Sequence, residues 1–420
     1  MNIAELLKGR DCACGKHHAC AIKHVIVEEG AISKIGEIVA DYQHILLVAD
    51  QNTYGVCGDA VRAELGAKCA DAVIFQTEGY LVPNEEAIAE VDRHLTPEID
   101  LIMGIGSGVI QDLCKYTSFM AKLPYHVVAT APSMDGYASV GAAMILGNMK
   151  VTVSAHVPEA IIADVNVIKD APMDLIQSGY GDILGKFSCL NDWKLGHVIN
   201  DEYICDYVYN LTFEMLNKTK DLGAKLQARD GDAIKTLMEA LVGVGIAMAY
   251  VGNSRPASGS EHHLSHFFEV IGLLKNEPYF LHGIDVVYSA VYTQKLRERI
   301  LTLNAPIKGY QPTREEYEQT IREVYYGAAE GVIALQNKLG WYDINRYPAY
   351  AERWARIKET LAEVPSSEEL AAYVRSVGLD IKDFEEQYGE EKINNALWFA
   401  KDLKDRFSVL WLYFDLFYQK

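Results

Sequence analysis

Between residues 44 and 130 the chain alternates short apolar runs with helix-length stretches, and this rhythm limits the possible folds more than any other feature. HILLVAD (44–50) reads as a strand ending on an acid, and VCGDAVRAELGA follows as a helix. DAVIF (71–75) and LIMGIG (101–106) are further strands, followed by the helical segments NEEAIAEVDRHL and VIQDLCKYTSFMA. YHVVAT (125–130) is the next strand. Such a succession implies an α/β fold, a mainly parallel sheet with helices on both faces. Gly147-Asn148 sits between two β-rich runs and predicts a hairpin. AIIADVNVI (160–168) is expected to be the last strand.

From about Ala171 the texture changes. Long amphipathic segments take over, such as TLMEALVGVGIAMAYVG and EEYEQTIREVYYGAAEGVIALQNKLG. LNAPIKGYQPT reads as a loop between helices, and Ser366 with Glu369 as a capping box opening LAAYVRSVG. The expected organisation is an α/β domain over 1–169, followed by an all-helical domain over 170–420. The cleft between them is the natural place for a site.

Composition excludes several classes. A chain of 420 residues, half of them hydrophobic, buries a large core without staples. The net charge of −19 offers no basic surface to nucleic acid. An anionic ligand would need local cations or helix N-termini. The opening MNIAELLKGRDCACGKHH has no apolar core of signal-peptide length, and FSVLWLYFDLF is far too short to span a bilayer and reads as a buried helix. The expectation is a cytoplasmic protein without a membrane span, its eight cysteines kept as thiols. Cys12, Cys14, His17 and Cys20 have the residue types of a metal site. Their spacing matches no standard zinc module, and it favours an exposed N-terminal arm with chance cysteines.

Gly104-Ile-Gly106-Ser107-Gly108 follows a strand and leads into a helix, so its amides can meet a pyrophosphate. The spacing is not the usual G-x-G-x-x-G fingerprint. Asp50 ends an early strand, where an acid either accepts from a ribose diol or caps a helix. Thr130-Ala-Pro-Ser133-Met-Asp135-Gly136-Tyr-Ala-Ser139 is a second small, polar loop at a strand end. It suits a polyol or a nicotinamide ribose, and equally ordinary turn chemistry. Asp182 stands in GDILGK, read as an acid heading a helical stretch. His262 and His266, in GSEHHLSH, share one helix face, and His282-Gly283 is read as a loop leading into the next helix. One Asp and two or three His from separate helices make an open N/O metal site of the kind a catalytic Lewis acid needs.

Taken in order, VADQNTY, GIGSGVIQDLCKY, TAPSMDGYAS, GDILGKFS, GNSRPASGSEHHLSH and HG resemble the glycerol-1-phosphate dehydrogenase family, within the iron-containing alcohol dehydrogenase and glycerol dehydrogenase superfamily. The resemblance covers most of residues 44–300. It implies that Asp182, His262 and His282 hold one divalent metal, zinc or nickel, with iron also compatible. It implies that Asp182 also touches the substrate, that His266 contacts substrate rather than metal, and that Asp135 binds substrate hydroxyls. Asp50, the turn Gly106-Ser107-Gly108-Val109 with Asp112, and Thr130, Ser133 and Ser139 would hold NAD or NADP. Ser107 stands where many members carry Gly, and the His262-His263 doublet leaves two candidate ligands, of which the spacing to His266 favours His262.

The implied activity is the interconversion of sn-glycerol 1-phosphate and dihydroxyacetone phosphate, feeding phospholipid metabolism, by a homodimer. His266 is the candidate proton relay. Lys186 and Arg255 are cations beside the motifs that could hold a substrate phosphate, or could be surface charges. The alternatives are a glycerol or other polyol dehydrogenase, a lyase like 3-dehydroquinate synthase with a denser set of Lys and Arg, and a non-catalytic metal-binding protein.

Overall fold

The computed structural model describes residues 3–77, 79, 81–147 and 149–419. Its strands are β1 (Arg10–Asp11), β2 (His17–His18), β3 (His24–Glu28), β4 (Ile45–Asp50), β5 (Cys69–Phe75), β6 (Leu101–Gly106), β7 (Tyr125–Ala129), β8 (Gly141–Leu146), β9 (Met149–Ser154) and β10 (Ala160–Asp164). The helices needed here are α1 (Gln51–Leu65), α2 (Glu85–His94), α3 (Gly108–Ala121), α4 (Met173–Leu184), α5 (Lys186–Asn200), α6 (Asp206–Thr219), α7 (Gly231–Val251), α8 (Ser260–Lys275) and α9 (His282–Leu301).

Six strands form a parallel sheet in the order β3-β10-β7-β6-β4-β5. Parallel neighbours need a crossover of a dozen or more residues, which the helices supply. The inner strands β6, β7 and β10 are buried along their whole length, as strands covered on both faces must be. The edge strands β3 and β5 mix exposed and buried positions. One core runs from Ile35 and Val39 through Leu47 and Val61 to Met103, Val128 and Ile162.

After β4 the chain adds β5 on one side, then crosses to place β6 on the other. The carboxyl ends of β4 and β6 therefore flank a topological switch point, the usual ligand position in an open α/β sheet.

Two expectations change, and one strand is new. AIIADVNVI is a strand only to Asp164, whose carboxylate accepts from the Asn166 amide at 3.0 Å and caps the helix Val165–Ile168. The N-terminal residues are not an exposed arm: β1 and β2 form an antiparallel hairpin, and His18 is fully buried. β3, which drew no notice in the sequence, is the edge of the main sheet. The β8–β9 pair is antiparallel with Leu146 opposite Met149; of the two turn residues, Asn148 lies outside the described residues.

By compactness the chain divides into Met1–Gly179 with Lys225–Asn253, and Tyr180–Ala224 with Ser254–Lys420. The first unit thus takes α7 from the helical half of the sequence. α7 is long and apolar enough to cross a membrane, but 78% of its apolar window is buried. It packs on the turn Asp135–Ala138, where a Cβ on Gly245 would fall 2.7 Å from Ala138 Cβ. The second unit has helices and no strand among its described residues, and its last helix, Val409–Phe417, is the buried segment expected from FSVLWLYFDLF.

Candidate functional site

In the first unit, β4 ends at Asp50, which caps α1: Oδ1 accepts from the amides of Asn52 at 2.8 Å and Thr53 at 2.9 Å. β6 ends at Gly106, and Ser107 opens α3 without a side-chain cap. The first amides of α3 then lie at a positive helix end that the Ser107 side chain does not cap. Asp50, Asn52, Gly79, Leu81, Ser107, Val109 and Ile110 line one cleft there. A Cβ at Gly106 would lie 2.7 Å from Ile110 Cβ, so only glycine lets the turn fold this tightly onto α3.

The second loop follows β7. The Thr130 amide donates to Gly106 O at 3.2 Å, which joins the two loops. Thr130, Ser133 and Asp135 are buried, and Ser178 Oγ donates to Ser133 O at 3.0 Å. Ser139 Oγ donates to Gly136 O at 3.0 Å. Lys115, fully buried on α3, gathers this loop: its ammonium donates to Gly141 O at 2.8 Å and to Gly136 O at 3.2 Å, and lies 3.5 Å from Asp112. Burial pushes the Lys115 pKa down, against the pull of Asp112 and Asp135. Lys115 stands within GIGSGVIQDLCKY but was given no role from the sequence; its position beneath the loop supplies one.

In the second unit, Asp182 lies in the last turn of α4, not at the head of a helix, and Gly185 separates α4 from α5. His262 lies in the first turn of α8. His282 is the first residue of α9, not part of a loop. One donor atom from each of Asp182, His262 and His282 lies within 4.8 Å of the other two. Gly181 makes this convergence possible: a Cβ there would sit 2.2 Å from Gly283 O, so only glycine lets α4 approach the start of α9.

The His262 and His282 ring centroids are 5.0 Å apart, and His262 Nε2 is 3.6 Å from Asp182 Oδ1. The other nitrogen, His262 Nδ1, is 2.7 Å from Glu261 Oε1, which also accepts from the Gly259 amide at 2.7 Å. That contact orients the ring, as outer-shell carboxylates do for metal-binding histidines. Ser265 Oγ lies 3.3 Å from His282 Nδ1. His266 stands one turn beyond, partly exposed, its ring 6.2 Å from His262 and 5.5 Å from His282. His263 is fully buried outside the cluster, so the structure gathers His262 and not its neighbour.

Burial opposes ionisation of Asp182, but Lys186, His262 and His282 outweigh it and hold the carboxyl well below its ordinary range. Burial, then Lys186 and His282, push the His262 pKa down. A carboxylate and a neutral imidazole, both buried and one ring oriented from behind, are what a divalent cation requires. The donor set fits such an ion.

Lys186 is fully buried; its ammonium donates to Asp182 at 2.9 Å and to Ala257 O at 2.9 Å. Arg255 is buried against Glu202, with Nη1 donating to Phe407 O at 2.9 Å. Neither is a surface charge, and both are engaged within the unit. His197, with Nδ1 2.8 Å from Glu202 O, is outside the cluster.

Residues 26–172 match the family described as iron-containing alcohol dehydrogenase. A glycerol-1-phosphate dehydrogenase [NAD(P)+] of Geobacillus thermodenitrificans is 30% identical over 383 residues, 90% of this chain and 88% of the relative. The namesake from Halalkalibacterium halodurans is 29% identical over 413 residues, 96% and 94% of the two chains. The chain belongs to the glycerol-1-phosphate dehydrogenase family of iron-containing alcohol dehydrogenases. Among solved structures, an archaeal alcohol dehydrogenase from a Red Sea brine pool superposes with a TM-score of 0.60, covering 96% of this chain and 99% of its own at 15% identity, a likeness of fold.

Members of this family are oxidoreductases, and three residues near the cluster went unnoticed in this one's sequence. Asp192 on α5 accepts from the Ser260 amide at 2.6 Å and so fixes the start of α8, where His262 sits. Arg297 on α9 donates to Asp192 at 2.8 Å, tying the same three helices together. Lys404 lies beside the cluster, partly exposed; its ammonium donates to Ser258 Oγ at 3.3 Å and its charge helps depress the His262 pKa. None of the three stands inside a quoted motif, and their roles rest on contacts between helices, so no local pattern could mark them.

Proposed function

We propose that this chain interconverts sn-glycerol 1-phosphate and dihydroxyacetone phosphate with NAD or NADP. The observation that carries the reading is the convergence of Asp182, His262 and His282 in a member of this family. These three would hold a divalent ion, zinc or nickel and compatibly iron, which supplies Lewis-acid polarisation of the substrate's C2 oxygen. The nicotinamide ring supplies or accepts the hydride.

The chain's own residues do the rest. The amides of Ser107, Gly108 and Val109 receive the pyrophosphate at the head of α3, with Gly106 giving the close approach and Asp112 anchoring Lys115 below. Asp50 spends Oδ1 on capping α1, and its second oxygen takes the ribose diol. Thr130, Ser133 and Ser139 line the nicotinamide side. Asp135 accepts from substrate hydroxyls, and Asp182 also orients the substrate. His266 moves a proton to or from the C2 oxygen. Lys186 and Arg255 are committed elsewhere, so Lys404 takes the substrate phosphate. That commitment also weighs against a lyase needing many cations. We further propose that it works as a homodimer in the cytoplasm on phospholipid precursors, as the sequence resemblance implies.

The test is nicotinamide absorbance with glycerol 1-phosphate, glycerol 3-phosphate and glycerol in turn. The reading expects turnover with the 1-phosphate above both others; faster turnover of free glycerol would replace it with a polyol dehydrogenase.

A further inference from the structure

Among the described residues, Cys12, Cys14 and His18 belong to a cluster of metal-type donors that the dehydrogenase chemistry does not use. Within the β1–β2 hairpin, one donor atom of each lies within 4.8 Å of the others. Cys14 Sγ and His18 Nε2 are 3.4 Å apart. A tetrahedral zinc with bonds of about 2.3 Å to sulfur and 2.0–2.1 Å to nitrogen sets such donors roughly 3.5–3.8 Å from each other. We propose that this hairpin is a zinc-binding knuckle, with Cys12, Cys14 and His18 as ligands.

The turn is built for it. The Gly15 amide donates to Cys12 O at 2.9 Å and the Cys12 amide to Lys16 O at 3.0 Å, closing a loop with both thiols on it. Gly15 holds φ at +85°, a left-handed conformation that glycine adopts without penalty. His18 is fully buried and its ring stacks on Tyr250 at 5.4 Å. Its Nδ1 lies 2.9 Å from Tyr250 O, so this nitrogen donates and Nε2 is left as the lone-pair donor facing Cys14. The neighbouring candidates are turned to other uses. His17 is exposed, with Nδ1 2.8 Å from Asp11. Cys20 is not among the donors that converge there.

All eight cysteines are thiols rather than disulfides. Zinc binding displaces the two thiol protons, so occupancy rises with pH. A fourth donor, water or a further thiolate, completes the tetrahedron. The ion's work is structural: through His18 and Tyr250 it fastens the start of the chain to the end of α7.

The test uses the full chain loaded with zinc, then stripped and reloaded with cobalt(II). The Cys12→Ser, Cys14→Ser double variant should hold one equivalent of zinc fewer than the unmodified protein. It should keep turnover, and lower the melting temperature. A His17→Ala, Cys20→Ser control should hold as much zinc as the unmodified protein. The cobalt form of the unmodified protein should show thiolate-to-metal charge transfer in the near ultraviolet, absent from the Cys12/Cys14 variant. Should that variant fail to fold, the unmodified protein's cobalt spectrum decides alone. Unchanged zinc content in the folded double variant, or no thiolate charge transfer in the unmodified protein, overturns the proposal. Neither readout depends on dehydrogenase activity.

Discussion

The two units build their sites from different materials. The first uses backbone: amides at the head of α3, carbonyls gathered by Lys115, and a carboxylate shared with a helix cap. Its residues come from consecutive strand ends, each marked by its own short loop. The second uses side chains: Asp182, His262 and His282, from the end of one helix and the starts of two others. A backbone site keeps its shape empty. A cluster of buried acid and imidazoles leans on the ion it would hold, and here Lys186 donates to Asp182 inside it. The contrast implies that removing the ion disables the dehydrogenase chemistry through the second unit, while buried His126 makes the first unit sensitive to acid, and each variant below tries one side of it.

The largest effect is expected at His266. If it moves the proton, His266→Ala should cut turnover by roughly 10²–10⁴-fold with metal content unchanged, as for loss of a general acid or base. Loss of metal along with activity would make it a ligand, and normal turnover per folded molecule would reduce it to a packing residue.

Next is His126, buried on β7 in the first unit, where burial lowers its pKa from an ordinary 6.5 to about 4. The folded state stays neutral where the unfolded state takes up a proton, so stability is full above pH 6.5. It falls as pH drops through 6.5 toward about 4. The loss is about 3 kcal/mol at most, from 1.36 kcal/mol per unit. Thermal melts of His126→Phe across this window should lose that slope; an unchanged slope would place the acid sensitivity elsewhere.

Lys404→Ala should raise KM for the phosphorylated substrate about 10- to 100-fold, the worth of one charge-assisted hydrogen bond, and leave KM for glycerol alone. Equal effects on both substrates would remove the phosphate from Lys404. The smallest effect is at Asp50. Asp50→Ala should cost about 1 kcal/mol from the lost cap of α1 and shift preference from NAD toward NADP. A stability loss without a change in cofactor ratio would leave Asp50 as a cap alone.

How far the sequence reached follows the same division. The parallel sheet was legible because buried strands such as LIMGIG and YHVVAT are apolar throughout and punctuated by helices. The edge strand β3 was not, because HVIVE is short and half exposed. AIIADVNVI was read too long because Asp164 looks like a strand residue until its carboxylate is seen capping the next helix. The residues of the second-unit cluster could be named because GDILGKFS, GSEHHLSH and HG carry the family resemblance that implies them. Their supports could not: Gly181 against Gly283, or Asp192 under Ser260, depend on contacts between helices far apart in sequence. Lys186 and Arg255 were candidate phosphate ligands by proximity in the chain, and only their burial and partners remove them.

The central claim is that the second unit's chemistry depends on an ion held by Asp182, His262 and His282, and the doublet His262-His263 offers the most direct test. Metal content and turnover per folded molecule should be measured for His262→Ala and His263→Ala side by side. The account predicts that His262→Ala loses one equivalent of metal and its activity while staying folded, and that folded His263→Ala keeps both. Full metal content and normal turnover in His262→Ala would contradict it.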